Sequence, residues 1–177
     1  QLEDSEGCIS KNTNSFDEKE NGKVNSYTLI QNIELLHKWV DSATEQGIVA
    51  VDTETDSLDS LNANLVGVSL ALPKPVDNAS ACYLPLGHVS GPSQSSLDLV
   101  AHSGINREIP NQVPIRDAMK ALKPLLENSG VLKILHNAKY DSEIFAQHDV
   151  VVGPIDDTML ISYVLDAGLH NHGMDDL

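Results

Sequence analysis

Apolar residues recur three or four positions apart in four stretches of the chain, a spacing that places them on one face of an α-helix. Gly47 follows the first stretch, and a glycine at such a position favours the end of a helix. Pro114 precedes the second stretch and suits a helix start, while Pro124 is expected to kink or restart that helix. The spacing therefore predicts helices over residues 33–47, 115–126, 140–145 and 158–165.

Short apolar runs rich in β-branched residues alternate with these stretches and predict strands. The runs cover residues 27–30, 48–51, 65–72, 81–84 and 131–135. Pro73 and Pro75 are placed in the turn between the strands at 65–72 and 81–84. Three successive strands followed by alternating helix and strand predict an α/β fold, with a mixed sheet and helices on both of its faces.

Two segments lack any apolar periodicity. Residues 1–25 are rich in Glu, Asp, Ser, Asn and Lys, which predicts a polar linker or flexible arm. Residues 87–114 are rich in Ser, Gly and Pro, which predicts a long surface loop. We therefore expect one domain over residues 26–177, preceded by the arm.

The acidic composition argues against a module that binds DNA by itself. The 177 residues carry 26 acidic and 11 basic side chains, a formal net charge of −15. Nucleic-acid binders normally display a basic face that displaces counterions from phosphate. An acidic chain can still bind the end of a nucleic acid if bound divalent cations supply local positive charge, and it would then bind weakly alone and depend on a neighbouring domain.

The sequence also indicates the cellular compartment in which we expect the chain to occur. No apolar run approaches the roughly 20 residues that cross a bilayer, and residues 1–4 lack the features of a secretory signal. Cys8 and Cys82 lie far apart, one in the polar arm and one in an apolar run. These features predict no membrane association, a reducing cytoplasm and a small core residue at position 82.

A dense group of acidic residues, Asp52-Thr53-Glu54-Thr55-Asp56, ends the buried strand that begins at Ile48. Residues two apart in a strand project to the same side, so Asp52 and Glu54 present two carboxylates to one place. Mg²⁺ and Mn²⁺ prefer such oxygen ligands. The alternative is a polar turn after a strand, where Asp and Thr are common.

A second group, His136-Asn137-Ala138-Lys139-Tyr140-Asp141, follows the strand at 131–135. Asn137 is a candidate helix cap, and Asp141 lies one turn inside the helix, where its carboxylate would point back over the strand ends. The alternative is that both residues only stabilise the helix start. Together with Asp52 and Glu54, however, Asp141 would supply carboxylates from two elements, as a two-metal phosphodiester hydrolase requires.

The ordered pair of motifs, Asp-x-Glu after a strand and Asn-x-x-Tyr-Asp at a helix start, resembles the first two motifs of the DEDD exonuclease superfamily. The surrounding sequence is similar to the 3′→5′ proofreading exonuclease domains of bacterial DNA polymerase I, from about residue 27 to 177 apart from the long loop. The matching stretches are residues 52–58, 65–69, 83–85, 122–127, 137–141 and 157–160.

This resemblance implies a ribonuclease H-like fold and a metal site. Asp52, Glu54 and Asp141 match ligands that hold two divalent ions, Mg²⁺ or Mn²⁺, around the terminal phosphodiester. The implied partners are the single-stranded 3′ end of DNA and a polymerase domain of the same parent chain, in a bacterial cytoplasm and as a monomer. The residues implied to contact the terminal nucleotides are Thr55, Leu58, His136, Asn137 and Tyr140, with Leu58 wedging against the last base and His136 in a place often occupied by Gln.

The third motif of the superfamily, Tyr-x-x-x-Asp, does not occur in the chain. His170 followed by Asp175 imitates its histidine version, but Asp175 lies only 34 residues after Asp141, too soon for the connecting elements. We therefore expect a domain incomplete at its C-terminus and weak or absent activity of the chain alone. Two alternatives remain open: a degenerate exonuclease domain that serves as a structural spacer, and a 3′→5′ ribonuclease of the same superfamily.

Overall fold

The fold is organised around one mixed β-sheet, seen in a computed structural model that describes residues 27–89, 109, 111–174 and 177. The strands are β1 (Tyr27–Leu29), β2 (Ile48–Thr55), β3 (Leu65–Val76), β4 (Ala79–Pro85), β5 (Leu132–Leu135) and β6 (Ile155–Asp157). The helices are α1 (Ile33–Gln46), α2 (Ile115–Leu126), α3 (Ala138–Ala146) and α4 (Thr158–Asp166). The predicted α/β class with a mixed sheet is confirmed.

The strand order is β1-β4-β3-β2-β5-β6. Strands β2, β3 and β4 form an antiparallel meander, whereas β5 pairs parallel with β2 and β6 pairs parallel with β5. Strand β2 therefore lies in the middle of the sheet, between an antiparallel and a parallel neighbour. Its pairing with β5 stops at Ala50, so the last residues of β2 have no partner strand on that side.

The alternation of buried and more exposed residues along β2 shows which face of the sheet carries the core. Val49, Val51 and Thr53 are buried, while Ala50 is half-buried and Asp52 is exposed. The buried residues join a core to which α1, α2 and α3 contribute their apolar sides, including Trp39 of α1, which is 1% exposed. The carboxylates of the central strand consequently project from the opposite, less covered face.

The first helix ends as its sequence predicts. The Asn32 side chain accepts a hydrogen bond from the Leu35 amide, and the chain leaves the helix at Gly47 with φ of 72°. The second helix runs from Ile115 through Pro124 to Leu126, so the restart considered at Pro124 does not occur.

The turn between β3 and β4 was placed wrongly by the sequence pattern. Pro73 and Pro75 lie inside β3, and the turn falls on Asp77 and Asn78, whose φ values are 48° and 71°. The β3–β4 pairing is irregular between Ala71 and Val76, which leaves room for residues that donate no backbone hydrogen bond. The two consecutive positive φ values suit a tight hairpin.

Strand β6 was not predicted either. It has only three residues, two of which are acidic, so no apolar run announces it. Its pairing with β5 places Asp157 opposite Leu135, at the carboxyl ends of the parallel strands β2, β5 and β6.

Two predicted segments lie largely or wholly outside the described residues. The arm over residues 1–25 is one of them, and residues 90–108 and 110 of the predicted long loop are the other. The base of that loop is described: the Gln112 side chain accepts from the His88 amide at 2.7 Å and donates to the His88 carbonyl at 2.9 Å. Within the described part of the chain, no helix has the length and apolar character to span a membrane.

Candidate active site

The end of β2 presents the first two predicted ligands on one face of the sheet. Asp52 pairs with Ser69 and Glu54 pairs with Gly67, so small residues flank both carboxylates on β3. Both acidic side chains are exposed, whereas Thr53 between them is buried. The alternation expected for Asp-x-Glu in a strand is thus present.

Asp141 of α3 lies against the same end of β2. Its Oδ1 accepts hydrogen bonds from the Thr53 amide at 3.0 Å and from the Thr53 hydroxyl at 2.6 Å. The amide of Thr53 is available because β5 no longer pairs with β2 at this point. Asp141 is only 3% exposed, so the first turn of α3 holds this carboxylate in a fixed, largely dehydrated position.

Burial and like charge act together on the two aspartates. Burial raises the pKa of Asp141 to about 6, the Thr53 hydroxyl opposes the rise, and the charge of Asp52 adds to it. Burial also raises the pKa of Asp52, while the Thr53 amide and His136 oppose that rise. A raised pKa means that the folded chain disfavours the ionised pair, which a bound cation would relieve.

Tyr140 connects α3 to the segment that follows β2. Its hydroxyl lies 2.5 Å from the Thr55 hydroxyl and donates to the Ser57 carbonyl at 2.5 Å. Leu58, the residue after Ser57, is 97% exposed. The structure therefore brings Thr55 and Tyr140 together, and it leaves Leu58 projecting from the surface beside them.

His136 and Asn137 occupy the junction between β5 and α3. The His136 Nδ1 lies 2.9 Å from the Thr158 hydroxyl. Asn137 has φ of 62° and ψ of 49°, and its side chain makes no capping hydrogen bond, so the cap predicted for it is wrong. The capping acceptor is Asp157, whose carboxylate receives the amides of Asn137 and Ala138.

Sequence reasoning assigned no role to Tyr83, which lies near Glu54. Its hydroxyl is 2.8 Å from His88 Nε2, and its ring crosses the sheet directly over Gly67. Burial raises the pKa of Tyr83, and the charge of Glu54 raises it further. The signal available in the sequence was Gly67 itself, because a glycine inside a strand often marks a close approach by another group.

The donor set fits a hard divalent cation. Asp52, Glu54 and Asp141 offer oxygen ligands, and the Oδ2 atom of Asp141 is left over after Thr53 has taken Oδ1. No group of three or more His, Cys, Asp or Glu side chains is already gathered around one point among residues 27–89, 109, 111–174 and 177. The described residues thus provide the ligand chemistry without a preassembled cage.

Comparison with known proteins identifies the family. The protein-family model described as the 3′-5′ exonuclease of family A DNA polymerases matches residues 27–177. The chain belongs to this family. Such exonuclease domains are nucleic-acid hydrolases that generally use divalent metal ions.

Two curated relatives of this exonuclease domain are both named DNA polymerase I. The Rhizobium leguminosarum protein is 43% identical over 160 residues, which cover 86% of this chain and 15% of the relative. The Pseudomonas aeruginosa protein is 37% identical over 142 residues, which cover 78% of this chain and 13% of the relative. The chain therefore spans a small part of the polymerases it matches, and the predicted resemblance to DNA polymerase I is confirmed.

A solved structure supports the fold of the exonuclease domain. Escherichia coli RNase D, an exoribonuclease involved in structured RNA processing, superimposes with a TM-score of 0.51 over 77% of this chain and 28% of RNase D. The identity is 17%, so this likeness concerns the fold alone. The predicted ribonuclease H-like fold is confirmed.

Proposed function

We propose that residues 26–177 form the domain, and that it removes nucleotides from the 3′ end of single-stranded DNA as the proofreading exonuclease of a polymerase of the DNA polymerase I type. The observation that carries the proposal is the position of Asp141. It meets the Asp-x-Glu strand through Thr53, beside Asp52, in a chain that belongs to the exonuclease family.

The proposed ligands are Asp52, Glu54 and Asp141. Two divalent ions held there would supply a metal-activated water and charge stabilisation at the scissile phosphate. The residues of this chain set the geometry: Thr53 fixes one oxygen of Asp141 and leaves the other available, while Asp52 lies close enough for its charge to act on Asp141. Proximity of two ionised aspartates supports cation binding because the cation removes their mutual repulsion.

The end of the DNA strand is proposed to lie beside Tyr140. Thr55 and Tyr140 are joined at the edge of the site, and the exposed Leu58 next to them offers an apolar surface for the last base. Asn137 exposes its side chain at the start of α3, and His136 lies close enough to act on the pKa of Asp52. An apolar side chain that packs against a base favours unpaired ends, because a paired base is already stacked.

The acidic charge supports a proposal in which the polymerase domain, rather than the exonuclease domain, holds the duplex. A chain with a formal net charge of −15 repels phosphate, so the duplex is proposed to be held elsewhere in the parent protein. The exonuclease domain would then receive only the frayed 3′ end.

Metal titration of the chain tests the proposed ligands. We expect Mn²⁺ to bind the chain, and Asp52→Asn, Glu54→Gln and Asp141→Asn each to weaken its binding by about tenfold or more. Glu45→Gln is the control, because Glu45 is exposed on α1, away from the end of β2. Equal Mn²⁺ affinity in all four variants would contradict the ligand assignment.

A chimaera tests the activity. Residues 27–177 would replace the matching segment of the Rhizobium leguminosarum polymerase, and degradation of a 3′-mismatched DNA primer would be compared with degradation of an RNA primer of the same sequence. We expect DNA trimming that is lost with Asp52→Asn. Trimming of RNA alone would favour the ribonuclease alternative. An inert chimaera whose segment still folds would favour the structural-spacer alternative.

A further inference from the structure

Asp157 accepts hydrogen bonds from the starts of two helices. Its Oδ1 receives the Met159 amide at 3.0 Å and the Leu160 amide at 3.3 Å, both in the first turn of α4. The same oxygen receives the Asn137 amide at 3.1 Å, and Oδ2 receives the Ala138 amide at 2.9 Å. A single carboxylate thereby satisfies four backbone donors that would otherwise lack partners at helix ends.

Capping of α3 from a distance changes what Asn137 can do. A residue at this position normally adopts an extended conformation and caps the helix with its own side chain. Asn137 instead has left-handed backbone angles, makes no side-chain capping bond and is exposed. Asp157, 20 residues later, accepts from the Asn137 backbone amide and so performs the capping, which leaves the Asn137 side-chain carboxamide free of that task.

Thr158 reinforces the same junction. Its hydroxyl donates to the Leu135 carbonyl at 3.2 Å, at the end of β5, and lies 2.9 Å from His136 Nδ1. The Asp157-Thr158 pair therefore connects the start of α4 to the end of β5 and to the first residue of α3. One turn beyond that residue lies Asp141, which contacts Thr53.

We propose that Asp157 is a positioning residue of the exonuclease site: by capping α3 from β6, it holds Asp141 against Thr53 and fixes the exposed orientation of Asn137. This inference rests on the proposed function for its meaning, because Asp141 matters as a metal ligand. The hydrogen bonds of Asp157 described above come from backbone amides, so Asp157 acts through the α3 backbone.

Replacement of Asp157 by serine separates its two capping roles. A serine hydroxyl can still cap its own helix, α4, but it is too short to reach the amides of Asn137 and Ala138. We expect Asp157→Ser to accelerate amide exchange at Ala138 and Thr53 at least about fivefold, while Met159 remains protected. Thr53 is the decisive probe, because its amide reports whether Asp141 stays in place.

Controls distinguish positioning from general destabilisation. Asp156→Ser removes an exposed carboxylate from the adjacent position of β6 and should leave exchange at Thr53 unchanged. Exchange at Leu70, in the middle of β3, reports the stability of the sheet. Unchanged exchange at Thr53 in Asp157→Ser would overturn the proposal. So would exchange that accelerates equally at Thr53 and Leu70 in both Asp157→Ser and the milder variant Asp157→Asn.

Mn²⁺ titration of the same variants adds the functional readout. If Asp157 positions a ligand, Asp157→Ser weakens Mn²⁺ binding by about threefold or more, and Asp156→Ser leaves it unchanged. Unchanged Mn²⁺ affinity together with accelerated exchange at Thr53 would overturn the positioning role. Failure of the unsubstituted chain to bind Mn²⁺ would instead count against the proposed function, and exchange at Thr53 would still decide whether Asp157 holds Asp141.

Discussion

At the scale of single residues, Gly67 shows how a missing side chain shapes the site. A Cβ atom at this position would lie 2.0 Å from the Tyr83 hydroxyl and 2.3 Å from the ring carbon that bears it. Glu54, which pairs with Gly67, consequently shares its side of the sheet with an aromatic ring. The glycine is required by the close approach of Tyr83, since its own backbone angles are ordinary for a strand.

Gly67→Ala is expected to destabilise the domain by about 1–3 kcal/mol, because the Tyr83 ring must move away and give up its contact with His88. Chemical denaturation measures the change. In a Tyr83→Ala background, the same substitution should cost almost nothing. An equal cost in both backgrounds would show that Tyr83 is not the group that requires a glycine.

Cys82 illustrates the opposite case, a reactive residue type made inert by its place. It is 3% exposed in β4, and burial raises the pKa of its thiol to about 12, well above the ordinary value of 9.0. The folded chain therefore disfavours the thiolate, so the stability of the fold falls as pH rises above about 9. The prediction of a small core residue at this position is confirmed.

We expect Cys82 in a Cys8→Ser variant to resist alkylation by iodoacetamide at pH 8.5 in the native state and to react readily in urea. The thiolate is the reactive form, and the fold suppresses it. Mass spectrometry of the labelled chain measures the difference. Similar rates of labelling in both conditions would mean that β4 opens far more often than its burial implies.

At the scale of secondary-structure elements, Lys133 joins parts of the fold that the chain connectivity leaves separate. Its side chain is fully buried, and the ammonium group donates to four backbone carbonyls. The distances are 3.4 Å to Leu125, 2.8 Å to Asn128 and 2.8 Å to Val131, and the fourth acceptor is Gly153. The end of α2, the start of β5 and the approach to β6 are thereby held together.

Lys133→Met should destabilise the domain by about 3 kcal/mol or more, because an apolar side chain of similar length leaves four carbonyls without their donor. Lys139→Met is the matched control, since the Lys139 side chain is 84% exposed on α3. Thermal and urea unfolding of both variants provide the comparison. Equal stability of the two variants would refute this role of Lys133.

At the scale of the whole molecule, the net charge bears on the proposed binding of DNA. The chain has 26 acidic side chains and 11 basic ones, so it offers few cations to replace the counterions of a phosphate backbone. The proposed attraction to DNA would then come from stacking and from bound metal ions. In the proposed function, the positive charge needed for firm binding of DNA is therefore supplied by the polymerase domain of the parent protein.

The isolated chain should accordingly bind a fluorescent oligodeoxynucleotide weakly in EDTA, and its affinity should change by less than about threefold between 50 and 200 mM salt. Non-catalytic Ca²⁺ should increase that affinity. Fluorescence anisotropy measures all three conditions. A loss of affinity of about a hundredfold across the salt range would reveal a basic surface that the composition does not suggest.

Local patterns in the sequence were sufficient for much of the fold and for the choice of candidate residues. Helical spacing and the glycine at position 47 predicted α1. The spacing of Asp52 and Glu54, two residues apart in a strand, predicted two carboxylates on one face. Element ends were less predictable: Pro73 and Pro75 look like turn residues, yet a gap in the β3–β4 pairing accommodates them within a strand. Strand β6 could not be recognised, because pairing with β5 rather than apolar character makes it a strand.

The sequence by itself determined the family, the fold class and the acidic residues at the end of β2 and the start of α3, because these depend on residue type and short-range spacing. Only the tertiary structure decided that Thr53 holds Asp141, that Tyr83 requires Gly67 and that Asp157 takes over the capping expected of Asn137. Each of these contacts joins residues at least 16 positions apart. Their partners are chosen by the order and register of the strands, which no local pattern in the sequence records.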